Sequence, residues 1–112
     1  MPVLSIHTNV SVKDNNALLK EASAIISQVL GKPETYVMIR ISDNENICFA
    51  GNNDPLAYVE LTSLGLSSDQ TTPLSETMCS FIQQNLNIDP ARIYIKFSAP
   101  ERAMFGWNSG TF

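Results

Sequence analysis

The stretch Met1-Pro2-Val3-Leu4-Ser5-Ile6 opens the chain and begins its first element of structure. Leu4 and Ile6 occupy alternate positions, which is the period of a β-strand. We expect the initiator methionine to be removed before a small residue such as proline, which leaves Pro2 with a free secondary amine at the start of the strand. An α-amino group has a pKa of about 7.7 to 8, and burial lowers it because desolvation disfavours the ammonium form. Such an amine can take up and return a proton near neutral pH.

The same proline also has a purely structural interpretation. Proline at the first position of a strand starts a sheet without the loss of a ladder hydrogen bond. If Met1 stays attached, the nitrogen of Pro2 is an amide without a basic lone pair, and we expect that form to be inactive. Met1-Pro2 alone leaves both interpretations open, so the rest of the chain has to provide partners for a catalytic amine.

Composition and charge limit the possible functions. With 112 residues, 44% of them hydrophobic, the chain is expected to form a single domain over residues 1–112. A net charge of -4, with seven Lys and Arg that form no basic patch, argues against a nucleic-acid partner. No apolar run reaches the roughly 18 residues that span a bilayer, and no signal peptide is recognisable. We therefore expect a cytoplasmic protein without a membrane partner, with non-classical export left open.

Several kinds of site are excluded by elimination. His7 is the only histidine, and Cys48 and Cys79 lie far apart without C-x-x-C spacing, so a metal site, a disulfide framework and a redox motif are not expected. A Ser-His-Asp or Cys-His arrangement would have to use His7, near which the sequence indicates no nucleophile or acid. The five glycines are isolated and form no phosphate loop. An enzyme of this sequence would have to work with an amine, a tyrosine, lysines or main-chain groups.

The order of elements repeats in two halves, about residues 2–50 and 56–112. In the first half, a strand and a polar loop precede an apolar helical face that ends at Gly31 and Pro33, and Tyr36–Ile41 is predicted as the second strand. A short extension is predicted over residues 47–50. In the second half, a strand over residues 57–64 precedes a helix with Pro73 in its first turn. Asp89-Pro90 stops that helix, and a strand over residues 92–97 follows.

Two βαβ units predict an α+β fold with one four-stranded mixed sheet. Strand-helix-strand connections between parallel strands are right-handed almost without exception, so both helices can lie on one face of the sheet. The other face is expected to be apolar and to need a cover, for which a second copy of the chain is the simplest candidate. The C-terminal tail holds Phe105, Trp107 and Phe112 within eight residues, and we expect it to pack rather than fray.

Residues and short motifs along the whole chain together resemble those of a known protein family. They are Met1-Pro2, Thr8-Asn9-Val10, Gly31-Lys32-Pro33, Tyr36, Gly51, Pro55, Ser63-Leu64-Gly65, Arg92-Ile93-Tyr94-Ile95, Gly106-Trp107-Asn108 and Thr111-Phe112. With them the chain resembles the macrophage migration inhibitory factor (MIF) family of the tautomerase superfamily. The resemblance implies the MIF fold, and a homotrimer whose sheets surround a central channel, with three active sites at subunit boundaries.

The resemblance also implies an activity and a set of site residues. The reaction would be keto-enol tautomerisation of small aromatic 2-keto acids such as phenylpyruvate, or isomerisation of dopachrome-type compounds, with no metal or organic cofactor. Pro2 would be the catalytic base and acid. Lys32 would hold the substrate carboxylate and help to keep the amine neutral. The main-chain amide of Leu64 would donate to the substrate, and Tyr94 would come from the adjacent subunit.

The remaining site residues implied by the resemblance complete the pocket, and two of the assignments have simpler alternatives. Lys96 would add a second cation for the substrate, and the apolar wall that desolvates the amine would consist of Met38, Phe105, Trp107 and Phe112. Helix-dipole complementarity alone would also place a lysine such as Lys32 just past a helix C-terminus. Tyr94 can also be read as an ordinary strand tyrosine.

The chain departs from the animal members of the family at three places. Leu56-Ala57-Tyr58-Val59 stands where those proteins often have C-x-x-C, so thiol oxidoreductase activity is not expected. Lys96 replaces an asparagine and Phe105 a smaller aliphatic residue, which leaves substrate preference open. A cytokine-like interaction protein with a non-essential pocket is the alternative function, although no receptor is indicated. Dehalogenation or hydration of unsaturated acids is a third, without a clear counterpart here for the arginines and acid that it uses.

Overall fold

The structure is a computed structural model that describes residues 1–112. Its regular elements are β1 (Val3–Thr8), α1 (Asn15–Leu30), β2 (Met38–Ser42), β3 (Ala57–Thr62), α2 (Thr71–Leu86), β4 (Ile93–Ser98), β5 (Gly106–Trp107) and β6 (Gly110–Thr111). Four short 3-10 helices join them: Glu34–Tyr36, Ser68–Gln70, Pro90–Arg92 and Arg102–Met104. None of the helices combines the length and the apolar character needed to cross a bilayer.

The ends of α1 follow from local chemistry. The Asp14 carboxylate accepts a hydrogen bond from the amide of Ala17 at 3.0 Å, which satisfies one of the unpaired donors of the first turn. At the other end Gly31 has a φ of 62°, and its amide donates to the carbonyl of Gln28. Glycine adopts this left-handed conformation without the steric cost that a Cβ imposes. The predicted end of the helix at Gly31 is confirmed.

The four long strands form one mixed sheet in the order β2-β1-β3-β4. β1 and β2 are parallel, β3 and β4 are parallel, and the central pair β1 and β3 is antiparallel. Each half of the chain therefore contributes one parallel pair, and the two halves join through their first strands. The predicted α+β fold with a four-stranded mixed sheet is confirmed.

Both helices pack on the same face of this sheet. Their apolar stripes and the alternate residues of the strands form one continuous core of buried side chains, which includes Leu18 and Ile26 from α1, Met78 and Ile82 from α2, and Ile6 from β1. Residues at i and i+4 share one face of a helix, so the spacing seen in the sequence becomes the buried stripe. The prediction that both helices lie on one face is confirmed.

Some predicted boundaries were wrong. β2 begins at Met38 rather than at Tyr36, because the amide of Tyr36 donates to the carbonyl of Pro33 at 3.0 Å and closes a 3-10 turn. β3 ends at Thr62 rather than at residue 64. The predicted extension over residues 47–50 is reduced to a single bridge between Phe49 and Asn52. In each case a local turn interrupts residues whose side chains favour strands.

The prediction of an apolar open face was also wrong. The face of the sheet away from the helices carries Ser5, His7, Arg40, Glu60 and Lys96 at alternate strand positions. Most apolar strand residues point to the helices instead, and this could not be assigned before the register was known. Val3, Met38, Tyr58 and Tyr94 are the apolar and aromatic strand residues on this face, so the face is mixed rather than apolar.

Candidate active site

Pro2 lies directly before β1, with its side chain fully buried. Its carbonyl accepts a hydrogen bond from the amide of Met38 at 2.9 Å. The next residue, Val3, is paired with Met38 on one side and with Thr62 on the other. The start of β1 is thus hydrogen-bonded to a strand on each side. An amine on Pro2 would therefore be held in a fixed position near the first residue of β2 and the last residue of β3.

The C-terminal tail folds into a small hairpin of β5 and β6. Gly106 pairs with Thr111 and Trp107 with Gly110, and the connecting Asn108 and Ser109 have φ values of 50° and 64°. Two consecutive positive φ values are typical of the tight turns that join antiparallel strands. The amide of Phe112 donates to the carbonyl of Phe105 at 3.1 Å and extends the pairing by one more residue. The tail packs on its own subunit instead of fraying.

Four aromatic side chains form a cluster between this hairpin and the segment before β2. Trp107 and Phe112 are stacked, with ring centroids 5.3 Å apart and planes inclined by 19°. Tyr36 meets both rings edge-on, at 5.7 Å and 6.3 Å, and Phe105 lies 5.9 Å from Phe112. Tyr36 precedes the strand that pairs with β1, so the aromatic cluster (Tyr36, Phe105, Trp107 and Phe112) lies near the Pro2 end of the sheet. The sequence analysis included Tyr36 in the family resemblance but did not predict it as part of the apolar wall of the pocket.

The N-terminal amine lies in a positively charged surrounding. The pKa of the Met1 ammonium is lowered, first by partial burial and then by the charges of Lys32 and Arg102. Burial and a nearby like charge both disfavour the protonated form of an amine. Since Met1 is bonded to Pro2, the same two cations lie close to the position that a Pro2 amine would occupy.

Different elements hold these two cations. Lys32 follows the left-handed Gly31, and its amide donates to the carbonyl of Ser27 at 3.1 Å. Arg102 belongs to the 3-10 turn Arg102–Met104, and its Nε donates to the main-chain oxygen of Phe112 at 3.1 Å. No Asp or Glu side chain forms an ion pair with either cation. Lys32 and the terminal guanidinium nitrogens of Arg102, which lie beyond the Nε bound to Phe112, are therefore available to an anion.

Arg102 was missed at the level of sequence. It lies in a polar segment between β4 and the tail, without a periodicity or a spacing that would relate it to Pro2. The only available signal was its position three residues before Phe105, in a tail already predicted to pack. Only the folded hairpin brings Arg102 and Lys32, which are 70 positions apart, to the same amine.

Leu64 lies just beyond β3, at the same end of the sheet as Pro2. Thr62 pairs with Val3, and the amide of Ser63 donates to the carbonyl of Ser98 at 3.0 Å. The strand ladder ends there, and neither it nor the following turn uses the main-chain amide of Leu64. A free amide donor at this place can serve a bound anion or carbonyl oxygen.

Tyr94 and Lys96 do not reach Pro2 within one chain. Tyr94 is level with Tyr58 and His7 in the sheet, five positions beyond Pro2 and two strands away. At about 3.3 Å per residue this is roughly 16 Å along the strands alone. Lys96 is level with Glu60, three positions beyond Pro2. Tyr94 is 66% exposed and Met38 57% exposed in the single chain.

The residues thus fall into two groups. Pro2, Lys32, the Leu64 amide, Met38, Arg102 and the aromatic cluster lie at one end of the sheet, whereas Tyr94 and Lys96 lie elsewhere on the open face. The first group combines a buried proline next to the chain's amino terminus, two cations and an apolar wall, which suits proton transfer on an anionic substrate. No group of three or more His, Cys, Asp and Glu side chains is arranged to hold a metal ion.

Comparisons with known proteins agree over the whole chain. The family profile described as macrophage migration inhibitory factor (MIF) matches residues 1–112. The macrophage migration inhibitory factor of Meriones unguiculatus is 34% identical over 116 residues, covering 100% of this chain and 99% of that protein. The crystal structure of the homologue from Prochlorococcus marinus is 41% identical, with a TM-score of 0.94 and 98% of both chains covered. The structure from Trichinella spiralis is 28% identical, with a TM-score of 0.93 over 98% of this chain and 99% of that one.

Proposed function

Because the chain belongs to the macrophage migration inhibitory factor family, we propose that it is a cofactor-free keto-enol tautomerase. The activity is of the phenylpyruvate tautomerase and dopachrome isomerase type, and the substrate is a small aromatic 2-keto acid or a similar compound. The amine of Pro2, freed by removal of Met1, is the base and the acid. The observation that carries the proposal is the buried Pro2 at the start of β1, beside two cations that lower the pKa of the terminal amine.

The reaction needs only a proton moved between two atoms of the substrate. In the ketonisation direction, the neutral Pro2 amine takes the proton of the enol hydroxyl, and the carbonyl forms as the carbon-carbon double bond is lost. The resulting ammonium returns its proton to the adjacent carbon, and the amine is neutral again. A base serves both steps well when its pKa lies near the working pH, which requires the lowered value.

Lys32 and Arg102 have two functions in this proposal. Their charges favour the neutral amine, and they attract the substrate carboxylate to the Pro2 end of the sheet. Arg102 is tied to Phe112 through its Nε, so its remaining guanidinium N–H groups can meet a carboxylate. The free amide of Leu64 adds a main-chain donor at the end of β3.

The aromatic cluster and Met38 supply the apolar part of the pocket. Trp107 is 49% exposed and Met38 57% exposed, so both offer apolar surface to a substrate ring in the single chain. Aromatic rings pair favourably in stacked or edge-on geometry. The same surface keeps water from the amine, which strengthens the effect of the neighbouring charges.

The remaining two residues require a neighbouring subunit. We propose a homotrimer in which Tyr94 and Lys96 of one subunit complete the pocket that begins at Pro2 of the next. The support is their distance from Pro2 within one chain, together with the exposure of Tyr94 on the open face. Lys96 then adds a further cation, which favours acidic substrates.

The first test compares the chain with and without Met1. Mass spectrometry establishes the terminus, and ultraviolet absorbance follows the interconversion of enol and keto phenylpyruvate. We expect activity only for protein with a free Pro2, since an N-acylated proline has no basic lone pair. Pro2→Gly is expected to lower kcat at least about tenfold, since it replaces the ring-fixed secondary amine by a mobile primary amine and general-base catalysis depends on the position of the base.

Thermal unfolding of both forms serves as the control, because Pro2→Gly also removes a buried side chain and its effect on stability has to be separated from its effect on turnover. Equal rates with and without Met1 would contradict the role of Pro2. A folded, Met1-free protein without turnover would instead favour the interaction protein whose pocket is not used.

A further inference from the structure

Arg92 makes more side-chain contacts to main-chain oxygens than any other residue of this chain, and the proposed mechanism does not use it. Its Nε donates to the carbonyl of Pro55 at 3.0 Å. One terminal nitrogen, Nη2, lies 3.2 Å from the carbonyl of Phe49, 3.4 Å from that of Asn52 and 3.1 Å from that of Asp54. All four acceptors belong to the loop Phe49–Pro55. The guanidinium therefore gathers the carbonyl groups of one loop around a single charge.

The loop itself is tightly folded. Phe49 and Asn52 exchange both main-chain hydrogen bonds, at 2.8 Å and 3.1 Å, around a turn in which Ala50 has a φ of 54°. A positive φ is unfavourable for a residue with a Cβ, so the turn needs support from its surroundings. The Asn52 side chain accepts from the amide of Asp54 at 3.0 Å, which adds a further hydrogen bond within the loop.

Phe49 connects this loop to a residue of the proposed site. The Arg92 guanidinium carbon lies 5.2 Å from the centre of the Phe49 ring, on its face. The same ring meets Tyr94 edge-on, with ring centroids 4.7 Å apart. Phe49 is thus held between a cation and the tyrosine, which suits the preference of cations for aromatic faces and of rings for edge-on contacts. Since Tyr94 is 66% exposed, few other contacts in the chain can fix its ring.

We propose that Arg92 is a positioning residue: by binding the carbonyls of the loop Phe49–Pro55, it holds Phe49 against Tyr94 and sets the orientation of the Tyr94 ring. The inference rests on the proposed function, in which Tyr94 enters the pocket of the neighbouring subunit. A correctly oriented tyrosine then selects aromatic substrates. Arg92 itself touches neither the substrate nor Pro2.

Two nitrogens of Arg92, Nε and Nη2, share the four carbonyls, which favours an arginine at this position. A guanidinium is planar and offers donors in fixed directions, so one side chain can bind several carbonyls while its face lies on a ring. A lysine keeps the charge but provides a single nitrogen on a flexible stem. Arg92→Lys therefore separates the effect of geometry from that of charge. Arg40→Lys is the matched control, because Arg40 makes one long contact, 3.4 Å to the Ser5 hydroxyl.

The kinetic arm of the test is a double-mutant cycle. Arg92→Lys is expected to raise KM for phenylpyruvate about three- to tenfold, the size expected when one aromatic contact is lost, with kcat within about twofold of wild type. Tyr94→Ala is expected to raise KM as well. In the Tyr94→Ala background, Arg92→Lys should then add nothing, since its effect passes through the ring that is gone. Arg40→Lys should leave KM unchanged.

A second measurement, by NMR, tests the position of the Tyr94 ring and does not depend on catalytic activity. The chain has three tyrosines, so NMR spectra of protein with ring-labelled tyrosine are simple, and Tyr94→Phe assigns the Tyr94 signal. Phe49→Leu removes the ring current on Tyr94 and shifts that signal. We expect Arg92→Lys to shift it in the same direction while the Tyr36 signal stays in place.

The outcomes are distinct. A Tyr94 signal unmoved by Arg92→Lys, or an equal rise in KM in both backgrounds, would overturn the positioning role of Arg92. A KM unaffected by Tyr94→Ala would overturn the substrate-selecting part of the inference. If the Met1-free wild type shows no turnover, the proposed function fails, and the NMR shifts alone decide whether Arg92 orients Tyr94.

Discussion

At the scale of single residues, the site depends on which charges surround one nitrogen. The Met1 amine is partly buried and lies near the charges of Lys32 and Arg102. Each of these three influences lowers its pKa. A carboxylate at the same distance would do the opposite and would keep the amine protonated. The two cations therefore tune the base as well as attract an anionic substrate, and these two effects can be separated by experiment.

The pH dependence of catalysis follows from the sign of this shift. Only the neutral amine accepts a proton, so kcat/KM should rise as pH increases through the amine pKa and then level off. Burial and the same two cations lower the pKa of the Met1 amine, and we expect them to act in the same direction on the adjacent Pro2 amine, so the midpoint should lie below the ordinary α-amino value of about 8. Arg102→Ala removes one of the two charges, so it should move the midpoint to higher pH and raise KM.

Arg40→Ala is the control for this variant, since Arg40 lies on β2 and does not contribute to the lowered pKa of the terminal amine. The measurement is the pH-rate profile of the Met1-free protein and of both variants. A midpoint that Arg102→Ala leaves in place would show that Arg102 does not tune the amine.

At the scale of elements, turns decide where strands begin and which side chains they present. The 3-10 turns Glu34–Tyr36 and Pro90–Arg92 follow the two long helices and redirect the chain into β2 and β4. The first turn places Tyr36 in the aromatic cluster instead of in the sheet, and the second places Arg92 beside the loop Phe49–Pro55. Both residues gain their contacts because they lie just outside a strand.

One loop also carries a pH-dependent contact. The pKa of Glu45 is lowered by hydrogen bonds from Ser42 and from His7, whose Nδ1 lies 2.7 Å from Oε2 of Glu45. A carboxyl with a lowered pKa in the folded state stabilises that state above its unfolded pKa, and the contribution is lost as pH falls through the folded value. The stability difference between wild type and Glu45→Gln should therefore be present at neutral pH, begin to shrink near the ordinary glutamate pKa of about 4.3, and vanish once the pH has fallen through the lowered folded value.

Denaturant unfolding at several pH values measures this difference. Glu76→Gln, a change on the exposed side of α2, is the matched control and should not alter stability between neutral pH and acid. A difference between wild type and Glu45→Gln that grew on acidification would contradict the assigned sign.

At the scale of the whole molecule, the proposed site is divided between chains. The open face of the sheet is largely polar, so its charges and hydroxyls, more than apolar area, would have to match those of a neighbour. A polar interface of this kind depends on specific pairing, which favours a closed symmetric assembly over random association. If each site is shared between two subunits, two inactive variants should complement each other in a mixed assembly.

Mixed assemblies test this division. Pro2→Gly subunits lack the rigid secondary amine of proline and Tyr94→Ala subunits lack the ring, so each homotrimer should be impaired. After unfolding and refolding of an equal mixture, about a quarter of the sites should combine an intact Pro2 with an intact Tyr94 of the next subunit. We expect activity above that of either variant alone, and sedimentation should give three times the chain mass. A mixture no more active than the average of its parents would mean that Tyr94 does not cross the boundary.

Much of the fold was readable from local signals. An apolar face at helical spacing that ends at Gly31 and Pro33 predicted α1, and two βαβ units were enough to predict the mixed sheet with both helices on one face. These features depend on neighbours within a turn of helix or on the handedness of a connection, and both are written in the order of residues.

The tertiary structure alone decided the rest. The register of the strands determined that the open face is largely polar, because a shift by one residue would exchange the two faces. The tail hairpin brought Arg102 to the terminal amine, and the loop Phe49–Pro55 met Arg92 across about forty positions of sequence. Such contacts join segments that are distant along the chain, and their partners are chosen by packing and by the geometry of hydrogen bonds, which local residue patterns do not encode.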